Sequence, residues 1–387
     1  MGAPEQLPLP LVEAVRAIAQ GPLADAAEAI DRGSYPRHIL QALGAAGAFS
    51  AHLWPDTGPG TAAGDFAAAI RASAAASQVC GATGFMVWCQ QVCGFYLQQA
   101  ASPTLQRELL PLHATGTRLG GTGMSNPMKA YAGIEPLLLK ARRVDGGWCI
   151  NGTLPWVSNL GPDHYAGVLA GVEPPAGRPA GVDGEAGAAP TEVMFLLRCD
   201  APGVELRTCP SFSAMEGTNT WALRCTDLFV PDADVIAHPA KPLIGRIRAG
   251  FILLQCGFGL GVTQGAIDAM WQVEPALGHV NCFLEDRPDT LQAELDALWA
   301  RVETLAATPF DTSTDYFINV LDARAHASEL ALRAAQSSLL HSGARGYLLS
   351  NGVQRRVRES HFVAIVSPAI KHLRKEIARL SAAEMPA

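Results

Sequence analysis

Residues 343–369 hold the densest set of side chains that could do chemistry. A glycine-rich turn at 343–347 leads into a predicted helix that carries Arg355 and Arg356. Long cationic side chains beside a glycine turn suit the binding of an anionic group. The alternative is structural, because an arginine four residues before Glu359 can form an ion pair along one helix face. The sequence leaves both interpretations open.

Two motifs in the middle of the chain carry hydroxyl groups. Ser125-Asn126-Pro127 ends a glycine-rich segment, and Trp156-Val157-Ser158-Asn159 follows a Gly-Gly-Trp segment further along the chain. Hydroxyl and amide groups aimed at a bound cofactor can stabilise the charge that develops on it. Alone, each motif is also typical of a turn or of an aromatic core residue.

Three histidines are candidates for proton transfer near neutral pH: His164, His341 and His361. Each is also compatible with a packed or surface position. The sequence contains no metal-binding spacing of His, Cys and carboxylates, and no G-x-G-x-x-G between a strand and a helix. We therefore expect no metal and no Rossmann dinucleotide site.

The composition predicts a large soluble protein with an extensive core. The 387 residues are 49% hydrophobic and 17% charged, with a net charge of −7 and no block of like charges. Nucleic acid and anionic membranes are therefore poor candidates as partners. Nine scattered cysteines without C-x-x-C pairs indicate reduced thiols, and the first residues lack a signal-peptide pattern. We expect a cytoplasmic protein.

Hydrophobic periodicity divides the chain into three parts, which predicts an α+β fold. Residues 1–118 show helical spacing, residues 119–236 show short strands separated by Gly, Pro and Asp, and residues 237–387 contain four long helical segments. The segments are 250–273, 290–307, 315–340 and 353–380, which suffice for a helical bundle. Residues 171–190, rich in Gly, Pro and Ala, are predicted to form a mobile hairpin loop.

These motifs resemble the acyl-CoA dehydrogenase family in type and order. The family's G-G-x-G-Y, Arg-Asp and I-x-E-G-T elements align without a gap with the stretch 343–369. Ser125-Asn126-Pro127 is similar to its T-E-P loop, and Trp156 and Ser158 are similar to the Trp and hydroxyl residue of its K-x-W-I-T-N. The segment 212–231 is similar to the family's segment before the bundle. The resemblance implies an N-terminal helical domain, a central β-barrel or sheet and a C-terminal four-helix bundle.

The resemblance also implies the cofactor, the partners and the site. It implies a flavoenzyme with FAD, or alternatively FMN, that works as a homotetramer or homodimer on an acyl thioester or similar small molecule. An electron acceptor or a flavin reductase would be its redox partner. The predicted cofactor-binding residues are Ser125, Asn126, Trp156, Ser158, Gly343, Arg345 and Gly346, and the predicted catalytic residues are Ser367 and His361.

Three departures from the family pattern leave the reaction open. Ser367 stands where the family places its catalytic glutamate, and Phe251 stands where some members carry an alternative base. The R-x-x-F-G arginine that meets the flavin pyrophosphate is also missing, so that Arg345, Arg355 or Arg356 would have to replace it. The stretch Ser367-Pro368-Ala369-Ile370-Lys371 instead resembles the D-P-x-x-x-K stretch of the dibenzothiophene-type flavin monooxygenases, which use reduced flavin and O2. A non-catalytic scaffold that binds an acyl thioester or a partner is the third alternative.

Overall fold

The computed structural model describes residues 10–54, 64–174 and 191–384. The first part of the chain is helical. Its helices are α1 (Leu11–Ile18), α2 (Ala24–Asp31), α3 (Arg37–Ala45), α4 (Phe66–Val79), α5 (Gly81–Gln99) and α6 (Leu110–Ala114). Short π-helical segments, Ala19–Leu23 and Leu105–Leu109, precede α2 and α6.

Helix α5 is the centre of the N-terminal part. Its residues are apolar nearly all round, which is typical of a helix that is buried on every side, and all but Gln99 are buried in the structure. Its neighbour α4 is rich in alanine and begins with Asp65, whose carboxylate accepts the backbone N–H of Ala68 at 2.8 Å. This cap satisfies one of the free N–H groups of the first turn.

A single mixed sheet follows. Its strands are β1 (Gly120–Thr122), β2 (Lys140–Val144), β3 (Gly147–Val157), β4 (Tyr165–Val172), β5 (Glu192–Arg198), β6 (Val204–Thr208), β7 (Trp221–Pro231) and β8 (Val235–Ala237). The order is β6-β7-β3-β2-β4-β5-β8, and β1 pairs with β4 in parallel. The sheet has its own core, to which Ile150, Val168, Phe195 and Leu223 contribute fully buried side chains.

The last part of the chain is again helical. It contains α8 (Lys241–Asn281), α9 (Pro288–Ala306), α10 (Thr314–Ser342), α11 (Gly352–Ile365) and α12 (Ile370–Glu384). Helix α8 is long and apolar enough to cross a membrane, but 94% of its most apolar window is buried inside the protein. The long apolar helix is therefore explained as the core of the bundle.

The architecture confirms the predicted fold class, and the structure corrects two of its details. Ser125-Asn126-Pro127 does not lie in a loop but begins a short helix, α7 (Ser125–Tyr131), because a proline is tolerated in the first turn. The predicted helix 353–380 is divided into α11 and α12. Pro368 lacks an N–H and disfavours a helical conformation at Ser367, so the chain leaves the helix there.

Two further expectations concern the boundaries of segments. Helix α8 begins nine residues before the predicted start at 250 and ends eight residues after the predicted end at 273. The predicted hairpin loop 171–190 lies, from residue 175 onward, outside the described residues, whereas Gly171 and Val172 complete β4.

Candidate functional site

A cavity of about 410 Å³ opens where the N-terminal helices, the sheet and the bundle meet. We call it the interdomain cavity. Its walls include Ser125 from α7, Trp156 and Ser158 from the end of β3, and His361 and Ser367 from the last two bundle segments. Five of the nine predicted site residues therefore line one cavity, although they are far apart in the sequence. Their roles stay predictions.

The hydroxyl groups of Ser125 and Ser367 are hydrogen-bonded across the cavity wall, with 2.8 Å between the two Oγ atoms. Ser367 can reach Ser125 because the break between α11 and α12 turns the chain toward α7. The backbone carbonyl of Ser367 accepts a hydrogen bond of 3.2 Å from Gln255 Nε2 of α8. Both the side chain and the main chain of Ser367 are thus fixed by neighbouring elements.

A fully buried arginine supports the same segment from behind. Arg324 of α10 donates its Nε–H to Gln255 Oε1 at 2.8 Å and an Nη2–H to the carbonyl of Val363 at 2.8 Å. Its remaining Nη group donates to Ser328 Oγ. The described part of the chain gives this guanidinium no carboxylate partner, and burial lowers the pKa of Arg324 to about 10. Arg324 and Gln255 thus connect helices α8, α10 and α11 to Ser367, which lines the cavity.

On the sheet side, three hydroxyl groups form a chain with a defined direction. Ser158 Oγ lies 2.7 Å from Thr220 Oγ1, which lies 2.8 Å from Thr218 Oγ1. Thr218 donates its proton to the carbonyl of Met215 at 2.6 Å. A hydroxyl has one proton, so both contacts are hydrogen bonds only if Thr220 donates to Thr218 and Ser158 donates to Thr220. The lone pairs of Ser158 then remain free to accept a hydrogen bond.

Beside this chain lies the large indole of Trp156, which is 57% exposed although it borders the cavity. An uncovered aromatic face next to hydroxyl groups matches a flat ring that has apolar faces and a polar edge. The isoalloxazine ring of a flavin has these properties. The residues present therefore fit the flavin that the sequence implies.

The opposite wall, formed by helices, is aromatic. We call Phe85, Trp88, Phe251 and Phe362 the aromatic quartet; all four line the cavity. The rings of Phe85 and Trp88 are stacked with centroids 5.3 Å apart, and Phe362 meets Phe85 edge to face at 4.9 Å. Trp88 and Phe251 meet edge to face at 5.2 Å. Cys89 also borders this wall, and burial raises the pKa of its thiol well above the usual range.

The charged groups at the cavity are cationic. Lys129 and Arg358 line it together with the imidazole of His361, and none of the described lining residues is Asp or Glu. Lys129 is paired with Glu135, with its Nζ 3.2 and 3.3 Å from the two carboxylate oxygens. Arg358 is paired with Asp31 and also donates to the carbonyl of Ser213 at 3.0 Å. The structure thus shows no carboxylate at the position of the missing family base.

Asn126 has a different place from the one predicted. Its side chain is buried and donates to Glu135 at 2.8 Å and to the carbonyl of Pro136 at 2.9 Å. It also accepts the backbone N–H of Leu138 at 2.9 Å. These three bonds hold the segment after α7 against the helix. The side chain of Asn126 therefore stabilises the local fold and does not line the cavity.

Gly343, Arg345 and Gly346 form a 3₁₀ turn that does not line the interdomain cavity. Gly343 has φ +58°, a value that favours glycine. The structure therefore does not bring these three residues together with Ser125, Trp156 and Ser158. The prediction that this turn contacts a neighbouring copy is untested.

For Arg355 and Arg356, the structure shows the ion-pair arrangement. Their side chains lie 3.4 and 3.5 Å from the carboxylate oxygens of Glu359 and donate to main-chain carbonyls at the end of α4. Glu359 is buried and accepts the N–H of Gly81, the first residue of α5, at 2.8 Å. The three charged side chains therefore join α11 to the junction of α4 and α5.

The other candidate histidines lie elsewhere. His164 is buried beside Arg37 and Asp163, and burial lowers the pKa of its imidazole. His341 is buried at the end of α10, with its Nε2 2.9 Å from the carbonyl of Asp286. Neither lines the interdomain cavity.

Sequence reasoning missed Gln255, Arg324 and Thr220. Gln255 stands in the apolar segment 251–262, and a lone polar residue in a buried helix is a signal that could have identified it. Arg324 stands among other polar and charged residues of α10, so the local sequence did not distinguish it. Thr220 could not have been distinguished from the neighbouring polar residues 218–220, because its role depends on the pairing of β3 with β7.

A second, smaller cavity of about 300 Å³ lies behind the segment that carries Ser367. We call it the basic cavity, because Lys241, Arg248 and Arg379 line it against one carboxylate, Glu376. The guanidinium of Arg248 lies 3.9 Å from the ring centroid of Phe317. His372 also lines this cavity; it is 7% exposed and its Nδ1 has no hydrogen-bond partner. Pro368 and Ile252 border the basic cavity, whereas Ser367 and Phe251 border the interdomain cavity.

Comparison with known proteins gives a consistent picture. Residues 9–117 match the family model of the acyl-CoA dehydrogenase N-terminal domain. The probable acyl-CoA dehydrogenase YngJ of Bacillus subtilis is 24% identical over 95% of this chain and 96% of its own length. Benzylmalonyl-CoA dehydrogenase of Aromatoleum aromaticum is 23% identical over 92% of this chain and 93% of its own length.

Solved structures share the fold. Butyryl-CoA dehydrogenase of Megasphaera elsdenii superposes with a TM-score of 0.78 at 16% identity, covering 96% of each chain. Dibenzothiophene monooxygenase of Paenibacillus superposes with a TM-score of 0.77 at 14% identity, covering 97% of this chain and 98% of the other. Fold, matched domain and full-length relatives agree: the chain carries an acyl-CoA dehydrogenase N-terminal domain, and over most of its length it is similar to acyl-CoA dehydrogenases, which are flavin-dependent oxidoreductases.

Proposed function

We propose that this chain holds the isoalloxazine ring of FAD in the interdomain cavity and oxidises a CH–CH bond of an acyl thioester. The observation that carries this proposal is the convergence of Ser125, Trp156, Ser158 and Ser367 on one cavity. When bound, the flavin supplies the acceptor for two electrons. The chain supplies the surface that orients the ring and the substrate and that keeps water away from them.

Residues of the sheet and of α7 would contact different parts of the flavin ring. Trp156 would cover one apolar face of the ring, and Ser125 would supply a hydroxyl to its polar edge, since both side chains line the cavity. Ser158 offers lone pairs, because its proton is used in the bond to Thr220. An acceptor at this place stabilises a ring N–H, the protonation state of a reduced flavin.

The basic cavity supports a thioester carried by coenzyme A. Coenzyme A is anionic, so its site must be locally basic. Lys241, Arg248 and Arg379 supply positive charge. Nδ1 of His372 has no hydrogen-bond partner among the described residues and can form a hydrogen bond with the ligand. The segment Ser367-Pro368 separates this charge from the interdomain cavity. A thioester that passes this segment would place its acyl group beside the flavin.

The test uses FAD-loaded protein without oxygen. Saturated acyl-CoA should bleach the flavin absorbance if the chain is a dehydrogenase, and Lys241→Ala should weaken the binding of the acyl-CoA. No bleaching by straight-chain, branched or aromatic acyl-CoA would contradict dehydrogenation.

A specific observation favours a second function, flavin-dependent monooxygenation. No described residue that lines the interdomain cavity is a carboxylate, so the usual proton abstractor of a dehydrogenase is missing. Oxygenation needs no such base, and His361 is an imidazole that lines the cavity. Formation of an oxygenated product from O2, added reduced flavin and an organic substrate, above the level without protein and without acyl-CoA oxidation, would identify this function.

The remaining proposals concern the setting of the enzyme. We propose a cytoplasmic homotetramer or homodimer that exchanges electrons with an electron acceptor or a flavin reductase. All nine cysteines are free thiols, which supports a reducing compartment. Tyr347, Leu348 and Leu349 beside the glycine turn are 81%, 59% and 84% exposed, which supports contact with another copy.

A further inference from the structure

The helical wall of the interdomain cavity differs from the sheet wall in one property that bears on the substrate. The sheet wall presents hydroxyl groups, whereas the helical wall presents the aromatic quartet of Phe85, Trp88, Phe251 and Phe362. The single polar atom of the quartet, the indole Nε1 of Trp88, donates to the carbonyl of Phe251 at 3.4 Å. The quartet therefore offers only ring faces and ring edges to a ligand.

From this wall we infer that the substrate group bound there is a planar aromatic ring and not a flexible alkyl chain. Aromatic rings attract one another through stacked and edge-to-face contacts, which add to the burial of apolar area. A flexible chain gains the burial but not these contacts, and it also loses rotational freedom. This inference rests on the proposed function, because it names the class of substrate for the same cavity.

The packing of the quartet keeps the wall rigid. Phe258 of α8 lies behind it, with ring centroids 5.7 Å from Phe85 and 6.1 Å from Phe362. Behind Phe251, the ring of Tyr96 is stacked at 6.4 Å, and its hydroxyl lies 3.0 Å from Thr122 Oγ1. Phe85, Trp88 and Phe251 are 4%, 2% and 4% exposed, so these rings have little freedom to move aside for a long chain.

The charge at the cavity also constrains the ligand. Lys129 and Arg358 already have carboxylate partners, Glu135 and Asp31. No described lining residue is acidic. A neutral aromatic ring is therefore better matched to the wall than a cationic group, which would meet two cations without a compensating carboxylate.

The experiment compares ligands that differ only in aromaticity. Benzoyl-CoA and cyclohexanecarbonyl-CoA have rings of six carbons on the same carrier, and naphthalene and decalin repeat the comparison without the carrier. Binding is measured by the change in the tryptophan fluorescence of the protein, to which Trp88 and Trp156 at the cavity contribute, and, in FAD-loaded protein, by the shift of the flavin spectrum. We expect the aromatic member of each pair to bind roughly three- to tenfold more tightly.

Two variants and a control localise the effect. Phe251→Leu and Phe362→Leu should each remove most of the preference for the aromatic ligand. Phe66→Leu is the matched control, since Phe66 is a buried ring that packs against Phe95 and Phe310 and does not line the cavity; it should keep the preference. Equal or tighter binding of the saturated rings by the unaltered protein would overturn the inference, as would an unchanged preference in both variants.

The failure of the inference and the failure of the proposed function can be told apart. Protein that binds flavin but prefers saturated rings would refute the aromatic substrate and leave the flavoenzyme intact. Protein that binds the aromatic ligands by the fluorescence assay but takes up no flavin would support the aromatic wall and refute the flavoenzyme.

Discussion

Ser125 and Ser367 are separated by most of the chain, yet their Oγ atoms lie 2.8 Å apart in the wall of one cavity. One belongs to the first turn of a helix beside the sheet, and the other belongs to the break between the last two helices of the bundle. The contact therefore joins two domains at the position where the family places its catalytic glutamate. A hydroxyl pair can hold the two elements together but cannot abstract a weakly acidic proton at neutral pH.

Replacing Ser367 by glutamate should create the missing base. We expect Ser367→Glu to raise the rate of acyl-CoA desaturation by roughly a hundredfold or more, because a positioned general base contributes a factor of that order. The measurement is anaerobic bleaching of the flavin by an acyl-CoA that the unaltered protein binds. Ser213→Glu adds a carboxylate elsewhere in the same cavity and serves as the control. An equal gain in both variants, or no gain in either, would contradict the assigned position.

The hydroxyl chain makes a directional prediction. Thr220→Val removes the acceptor of the Ser158 proton, so Ser158 becomes free to donate. We expect a net change of about 1 kcal/mol in flavin affinity, with oxidised flavin gaining relative to reduced flavin, and a lower reduction potential. Ser158→Ala should weaken the binding of reduced flavin by a similar amount and leave folding nearly unchanged. Identical potentials in the unaltered protein and both variants would show that the chain does not reach the flavin.

The link from Arg324 through Gln255 to Ser367 should hold the break between α11 and α12. Gln255→Leu removes the bond to the Ser367 carbonyl and leaves a buried Arg324 N–H without its acceptor. We expect a loss of about 1–3 kcal/mol in the free energy of unfolding and faster hydrogen exchange in residues 366–369. Thr263→Val is the control, because Thr263 is buried in the same helix but bonds only to Gly259 one turn earlier. Equal effects of the two substitutions on exchange would argue against a specific link.

Two buried histidines predict how stability depends on pH. Burial lowers the pKa of His52 to about 3 and that of His113 to about 4, from 6.5 in the unfolded chain. Their imidazoles are neutral in the folded protein, with Nε2 of each within 2.8 Å of a backbone carbonyl of α5. Below pH 6.5 the unfolded state binds more protons than the folded state. Their contribution is therefore fully present above pH 6.5 and is lost as the pH falls toward 4.

Each histidine should remove about 1.4 kcal/mol from the free energy of unfolding per unit of pH in this range. The measurement is denaturant unfolding at pH 7 and at pH 5. His113→Gln should reduce the difference between the free energies of unfolding at pH 7 and at pH 5 by the contribution of one histidine. Stability that is the same at both pH values would contradict neutral, buried imidazoles.

The sequence predicted the fold and five of the residues that line the cavity, for physical reasons that the residues show. Helical spacing identified the N-terminal helices, and the Trp156-Ser158 motif kept its place at the end of β3. The local pattern could not reveal that the side chain of Asn126 forms its hydrogen bonds with the segment after α7, because these bonds depend on how the chain folds back at Glu135. Nor could it reveal the contact of Ser125 with Ser367, which needs both the bundle and the sheet in place.

The arginines of α11 show the same limit. Their pattern was equally compatible with a phosphate and with an ion pair. In the structure, Glu359 lies near both arginines and also accepts the backbone N–H of Gly81, which lies hundreds of residues earlier in the chain. The local sequence could not show this arrangement. Charged side chains near a glycine turn therefore do not identify an anion site until their partners are known.

Flavin binding is the central claim, and one titration tests it. Purified protein is incubated with excess FAD and, separately, FMN, and the absorbance and fluorescence of the bound flavin are recorded. We expect one flavin per chain, with fluorescence quenched in the unaltered protein and partly recovered in Trp156→Leu. Trp271→Leu is the control, because Trp271 is also an exposed indole but does not line the cavity. Failure of both flavins to bind at tens of micromolar, or equal fluorescence in both variants and the unaltered protein, would contradict a flavin in the interdomain cavity.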